Sequence, residues 1–317
     1  MIGSADLRQG PVTVRSPASS ANLGPGYDCM GLALNIEDIY SCRVVDGSGV
    51  TVHSEGEGAS EVPADETHLV ARALRAGLDH AGVGDVGLEV HCRNVIPHGR
   101  GLGSSSAAIV GGLALARELL AHRQGILSDE VVVRLSTRLE GHPDNVAAAA
   151  LGGLTVSWTD DFGGRAVRLD MDPSIRVLVF VPSQRSLTSE TRGLIPDVVP
   201  HADAASNAAR SALLVHALTL RPDLLLPATR DLLHQQYRRS AYPRSWELIQ
   251  RLRAQTVPAA LSGAGPSVIA FLGSGSDGAQ QLDPNGAALL DQVATAPGFS
   301  VLRPEVAHAA GPLPRTV

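Results

Sequence analysis

Lysine is absent from this 317-residue chain; all 26 of its basic residues are arginine. Chemistry centred on a lysine amine is therefore excluded, including the P-loop lysine, the strand lysine of protein kinases and any Schiff base. Cysteine is almost as scarce. Cys29, Cys42 and Cys92 lie far apart, are odd in number and form no C-x-x-C pair, so reduced structural thiols are expected rather than a zinc clip or a redox couple. A basic surplus is lacking too. The formal net charge of -6 argues against a nucleic-acid backbone or an anionic membrane as partner. No apolar run approaches the roughly 20 residues that cross a bilayer, and residues 1–10 carry no signal-like pattern. The expectation is a soluble, cytoplasmic protein acting on small molecules, with a homodimer left open. With 44% hydrophobic residues the chain can bury a substantial core, and its length suggests two domains.

Patterning predicts a short strand over 12–15, then a loop over 16–26, where Gly, Pro and Ser crowd together. Strands over 36–45 and 50–54 flank Asp46-Gly-Ser-Gly49 and read as a hairpin. Apolar residues at helical spacing predict a helix over 67–80, with Thr67 as candidate cap, and strict alternation predicts a strand over 86–92. A glycine-rich stretch follows that strand and opens onto an Ala- and Leu-rich helix over 107–121. A second helix, over 129–140, leads into Gly141-His-Pro-Asp-Asn145, and a strand resumes over 152–158. The first domain is expected to cover 1–161 and the second 162–317. The second contains strands over 166–169, 176–181, 257–261 and 268–271, three helices within 202–254, and a loosely held tail from Arg303.

The stretch from Pro97 to Ser106 carries the chemistry. Phosphate needs several N–H donors converging on it, and Gly99, Gly101 and Gly103 allow the backbone to come close. The helix that follows adds unpaired N–H groups and about half a positive charge, so an anion is favoured without lysine. Ser104, Ser105 and Ser106 can cap the helix, bind phosphate or ligate Mg2+; a plain glycine turn with helix-capping serines is the alternative. Other motifs fail. The dinucleotide fingerprint from Gly101 ends on Ser106 instead of glycine, Gly-x-Ser-x-Gly is missing because Ala107 stands where its second glycine belongs, and Walker A needs lysine.

Pro97-x-x-x-Gly101-Leu-Gly-Ser-Ser-x-Ala107 resembles the phosphate loop of the GHMP kinase superfamily. Ser16-Pro-Ala-Ser-Ser-Ala-Asn22-Leu-Gly-Pro-Gly-Tyr-Asp28 resembles its first motif, and Leu261-Ser-Gly-Ala-Gly-Pro-Ser267 its third. Glu140-Gly-His-Pro-Asp-Asn145 is similar to a signature of the members that phosphorylate homoserine. These motifs span about 250 residues in the family order. The resemblance implies an α+β, two-domain fold. Its N-terminal ATP-binding domain would be like domain 2 of ribosomal protein S5, with a left-handed βαβ crossover, and its C-terminal domain would be ferredoxin-like. The activity implied is ATP-dependent phosphorylation of the homoserine hydroxyl, a step of threonine biosynthesis, with Mg2+ as cofactor.

Site roles follow by the same resemblance. Pro97, His98, Gly99, Arg100, Gly101, Leu102, Gly103, Ser104, Ser105, Ser106 and Ala107 would hold ATP phosphates. His68 stands where these kinases commonly carry Asn, and is the candidate contact to the base. Glu140 with Ser104 or Ser105 would contact Mg2+. Homoserine presents a carboxylate and an ammonium, which call for arginine and a carboxylate respectively. Asn22, Asp28, His142, Asn145, Arg192, Arg238 and Gly263 are implied to line its pocket, with Arg239 replacing Arg238 if the register slips. Asp144 is the candidate base. Asn145 cannot be one at neutral pH, and a loose transition state gains little from early deprotonation, so catalysis by positioning is expected. A sugar or mevalonate kinase of the same superfamily, or a non-catalytic ATP sensor lacking the Glu140 role, are the competing readings.

Overall fold

The computed structural model describes residues 6–120, 123, 125–185, 191–272, 296 and 298–313. Two sheets organise it. In the first, β1 (Val12–Asn22) lies antiparallel to the long β2 (Gly26–Val45). The strand therefore runs through the segment whose Ser, Pro and Ala content predicts a loop. Residues 16–22 are all buried, and their small side chains let α2 (Ser104–Leu119) and α4 (Asp144–Leu151) pack closely on the strand. Small residues here serve close approach rather than flexibility.

The expected hairpin does not form. β4 (Gly87–Asn94) sits between β2 and β3 (Val50–Gly56), antiparallel to the former and parallel to the latter. The two parallel strands are joined through α1 (Leu69–His80), so the pairing is a βαβ crossover that no local turn signal encodes. The cap of α1 also differs from expectation. His68 Nδ1 accepts the Val70 N–H at 3.2 Å, because the N–H and hydroxyl of Thr67 are already bonded to Asp65.

α3 (Asp129–Glu140) ends where the periodicity predicts, at Gly141 in the left-handed conformation. β5 (Leu154–Asp160) then pairs with both β2 and β6 (Gly163–Leu169). A boundary between 161 and 162 falls in the turn of this hairpin, so the first sheet continues to Leu169.

The second sheet contains β7 (Arg176–Pro182), β8 (Ala259–Leu261), β9 (Val268–Leu272) and β10 (Phe299–Leu302) in the antiparallel order β10-β7-β9-β8. Counted within this unit the order is 4-1-3-2, that of a ferredoxin-like sheet. α5 (His201–Thr219), α6 (Leu225–Ala228), α7 (Gln235–Arg238) and α8 (Pro243–Ala254) connect β7 to β8. The connection from β9 to β10 lies largely outside the described residues.

The C-terminal segment is held, contrary to expectation. Leu34 bridges Val306, Gly152 bridges His308, and β11 (Gly311–Pro312) pairs with β1. Backbone pairing needs no sequence pattern, which is why a Pro-containing tail gives no sign of it. One core lies between the first sheet and helices α1 to α4. Another is shared by both sheets, joining Ala18, Leu32 and Leu102 to Val179, Leu214 and Ile269. The site is built along that shared core. Among the described residues no helix is long and apolar enough to cross a membrane.

Candidate active site

All three loop glycines take left-handed φ angles, 63° at Gly99, 73° at Gly101 and 67° at Gly103. The last is the N-cap of α2, and no side chain caps this helix. Its first-turn N–H groups are thus left to an anion. Ser105 and Ser106 turn away from the helix end: both hydroxyls donate to Glu140 Oε1, at 2.7 and 3.0 Å. The helix-capping alternative therefore does not describe them.

The other two motifs brace this loop. Ser19 N–H donates to Leu102 O at 3.0 Å, Ser262 Oγ donates to Gly101 O at 2.6 Å, and Ser262 Oγ lies 2.9 Å from Ser20 Oγ. A Cβ on Gly101 would run into the Ser262 and Gly265 carbonyls, and one on Gly103 into Ser19 Oγ. Leu102 is buried as an anchor. Arg100 faces away from any phosphate, since its guanidinium donates to the carbonyls of His98, Pro182 and Ser183 at 3.0 to 3.2 Å.

Two cavities meet at Ser104 and Ser105. One, of about 230 Å³, is walled by Tyr40, Val62, Pro63, His68, Leu69 and His98. His68 is buried there as part of the wall. The other, of about 380 Å³, runs from Gly99, Gly101 and Gly103 past Glu140, His142, Asp144 and Asn145 to Asn22, Asp28, Arg192, Arg238 and Gly263. The folding thus brings together residues from all the predicted motifs.

Roles within the larger cavity divide by hydrogen bonding. Asn22 acts as a brace, its Nδ2 donating to Gly263 O at 2.9 Å and its Oδ1 accepting from Asp28 N–H at 3.0 Å. Asn145 Oδ1 accepts from Ser19 Oγ at 2.9 Å, which leaves its amide N–H groups for the cleft. Asp144, 2% exposed, accepts at Oδ1 from His142 Nδ1 (2.9 Å) and Asn145 N–H (2.7 Å). That hydrogen bond raises the His142 pKa above its ordinary value despite burial. A raised folded pKa gives stability that is full below the unfolded value near about 6.5 and is lost as pH rises through the folded value. NMR titration should place the His142 midpoint above about 6.5, and Asp144→Asn should lower it. A midpoint unmoved by that substitution would break the pair.

Arg192 grips Asp28 with two bonds, NH1 to Oδ2 at 3.1 Å and NH2 to Oδ1 at 2.7 Å. Arg238 is different. It is 2% exposed, and no carboxylate among the described residues lies within ion-pair distance. Burial pulls its pKa below the ordinary arginine value. Arg239, the alternative register, is exposed. Arg238 Nε donates to Thr191 O and its NH1 to His234 Nδ1, at 3.4 and 2.9 Å, so its hydrogen bonds among the described residues go to neutral acceptors, and a buried guanidinium is costly without a counter-charge.

Two residues packed on Arg238 escaped sequence reasoning. Tyr27 lies within the first motif beside Asp28, where its ring was open to notice. His234 is one helical turn before Arg238, and only that spacing hints at contact. Both touch Arg238.

A lysine-free phosphate loop between an S5-type crossover unit and a ferredoxin-like sheet defines a GHMP kinase. The family of GHMP kinases N terminal domains matches residues 68–153, and that of GHMP kinases C terminal domains matches 209–288. The fold is similar to the crystal structure of homoserine kinase from Cytophaga hutchinsonii, with a TM-score of 0.80 at 23% identity over 96% of this chain and 97% of that one. Homoserine kinase of Streptomyces avermitilis is 53% identical over 271 residues, 86% of this chain and 88% of that protein. That of Mycobacterium tuberculosis is 54% identical over 259 residues, 80% of this chain and 82% of that protein. The chain belongs to the homoserine kinase family.

Proposed function

We infer that this chain transfers the γ-phosphoryl group of ATP to the side-chain hydroxyl of homoserine. The observation that carries the substrate is the buried Arg238, without a carboxylate partner among the described residues, at one end of a cleft whose other end is the phosphate loop. The family supplies the reaction class, and the cleft supplies the complement to a small zwitterion.

Phosphates rest on the backbone of Gly99 to Gly103 and on the α2 N-terminus, with the base in the cavity walled by Tyr40, Val62, Pro63 and His68. Ser105→Ala then weakens ATP only modestly, because backbone donors remain. Gly103→Val should weaken it far more, since Val cannot take φ 67° beside Ser19 without shifting the loop. Calorimetry giving normal ATP affinity for the Gly103 variant would move the nucleotide elsewhere.

The donor set fits Mg2+. Glu140 Oε1 and Ser105 Oγ are 2.7 Å apart, close to the roughly 2.9 Å between neighbouring oxygens of an octahedral Mg2+. Glu140 and Ser105 would hold the ion, and it would neutralise charge on the β- and γ-phosphates. Ser104 lines the same cleft without bonding to Glu140.

Across the cleft Arg192 and Asp28 pair with each other. Homoserine exchanges that pair for two new ones, its ammonium going to Asp28 and its carboxylate to Arg192 and Arg238. Mevalonate and sugars offer no ammonium. The hydroxyl is then set beside Asn145, whose amide is fixed by Ser19. Asp144 has Oδ1 committed to His142 and Asn145, so it orients His142 rather than drawing the proton, which leaves to phosphate or water. A cytoplasmic setting agrees with the three unpaired cysteines. An ADP-release assay across homoserine, mevalonate, galactose and shikimate should respond to homoserine alone. Comparable turnover of mevalonate or galactose would overturn the substrate.

A further inference from the structure

On the outer face of the first sheet, away from the cleft, two imidazoles and a carboxylate converge. Parallel pairing of β3 with β4 sets His53 opposite His91, and Thr51 opposite Glu89. The alternate residues Val52, Val90 and Cys92 point into the core, which leaves this trio on the solvent side. The imidazole rings stack with centroids 4.8 Å apart. His91 Nε2 is 3.1 Å and His53 Nε2 is 3.7 Å from the same oxygen, Glu89 Oε1. The three ligand atoms all lie within 4.8 Å of one another, and zinc bonds of about 2.0–2.1 Å place tetrahedral ligand atoms roughly 3.3 Å apart, so the two Glu89 contacts are near that spacing and rotation of the imidazoles would close the set. Arg43, opposite Glu89 on β2, donates from Nε to the other carboxylate oxygen at 2.7 Å. It holds Glu89 with Oε1 turned to the imidazoles, the service that outer-shell partners perform for metal ligands.

We propose that His53, Glu89 and His91 form a site for a nitrogen-preferring divalent metal of the Zn2+ class, with water as fourth ligand. It ties the edge strand β3 to β4. Calorimetric titration of Zn2+ into the full chain should show about one equivalent bound and a Tm raised by several degrees. His53→Ala and His91→Ala should each weaken binding about tenfold or more, with ADP release in zinc-free buffer unchanged. Mg2+ should show no binding that these histidines control. Equal Zn2+ affinity in the His53→Ala/His91→Ala double variant, or binding only at millimolar zinc, overturns the site.

A separate observation concerns how the substrate arginines are aimed, and it rests on the homoserine reading above. His234 is fully buried, with Nε2 2.9 Å from Gly24 O and Nδ1 2.9 Å from Arg238 NH1. A carbonyl only accepts, so Nε2 carries the proton and Nδ1 is left to accept from the guanidinium. Tyr27 stacks on His234 at 5.2 Å, while Arg192 and Arg238 lie 5.6 and 5.8 Å from the centre of its ring. Among the described residues, Asp231 and Asp28 are carboxylates close to this group.

We infer that Tyr27 and His234 are positioning residues that set both guanidinium groups for the substrate carboxylate. Tyr27→Ala should raise KM for homoserine on the order of tenfold with the KM for ATP unchanged, and Tyr27→Phe, which keeps the ring face, should restore it. His234→Asn, which keeps an acceptor near the Nδ1 position, should retain more homoserine affinity than His234→Leu. Parallel changes in both KM values, or a Phe variant as impaired as the Ala variant, overturn the positioning role. Wild-type enzyme that ignores homoserine would instead remove the reading beneath it.

Discussion

Arg238→Ala lowers kcat/KM for homoserine by roughly 30- to 4,000-fold and leaves the small activity on homoserine amide almost untouched. The magnitude follows from the burial of the pair. Removing one partner of a desolvated, hydrogen-bonded charge pair costs roughly 2–5 kcal/mol, and each 1.4 kcal/mol is about tenfold. Arg238 is 2% exposed and has no carboxylate within ion-pair distance among the described residues, so in the proposed complex the substrate anion would be its partner. The loss should exceed that for Arg192→Ala, because Arg192 is 42% exposed at its side chain and is paired with Asp28 before substrate arrives. The amide lacks the carboxylate, which makes it the control for general damage to the cleft. Steady-state ADP release on both substrates decides the matter. Equal losses on homoserine and its amide would sink the carboxylate assignment, even if folding and ATP affinity were intact.

Glu140→Ala reduces kcat on the order of 10² to 10³ while changing the KM for homoserine little. Its carboxylate receives two hydroxyls from the phosphate loop at Oε1 and has no other protein partner among the described residues. In the proposed reaction, charge building on the transferring phosphoryl group would be met by an ion that this carboxylate would help to hold, so the loss is expected on the chemical step. Serine orientation is the rival explanation. Glu140→Gln separates them, because its side-chain oxygen still accepts from Ser105 and Ser106 but no longer carries charge. If Gln restores turnover at saturating Mg2+, Glu140 serves the loop rather than the ion. A circular-dichroism melt on each variant guards against simple unfolding, since Glu140 closes α3 at its C-terminus.

The difference between Asn22 and Arg238 shows how far motif reading reaches. Both are named by resemblance as substrate contacts. The amide of Asn22 is consumed by Gly263 and Asp28, joining the first motif to the third, whereas Arg238 donates to Thr191 O and His234 and meets no carboxylate at ion-pair distance among the described residues. A residue type at a motif position reports that the position matters, but not whether its hydrogen bonds are spent on the protein. The same holds for Arg100, a cation inside the phosphate loop whose three guanidinium nitrogens each donate to a backbone carbonyl.

By itself the sequence determined the chemistry that cannot happen here, through the missing lysine, and the loop that replaces it. It also determined α3 to the residue, because capping and periodicity are local and agree over 129–140. Tertiary structure alone decided three things. β4 entered between β2 and β3, the Ser- and Ala-rich segment became a buried strand, and the C-terminal residues returned to the first sheet. Each depends on pairing between segments far apart in the chain, where backbone hydrogen bonds and close packing reward contacts that local propensity does not encode. The orientation of Arg238 by His234 and Tyr27 belongs with them, since a side chain's partners in a buried wall exist only once the wall is assembled.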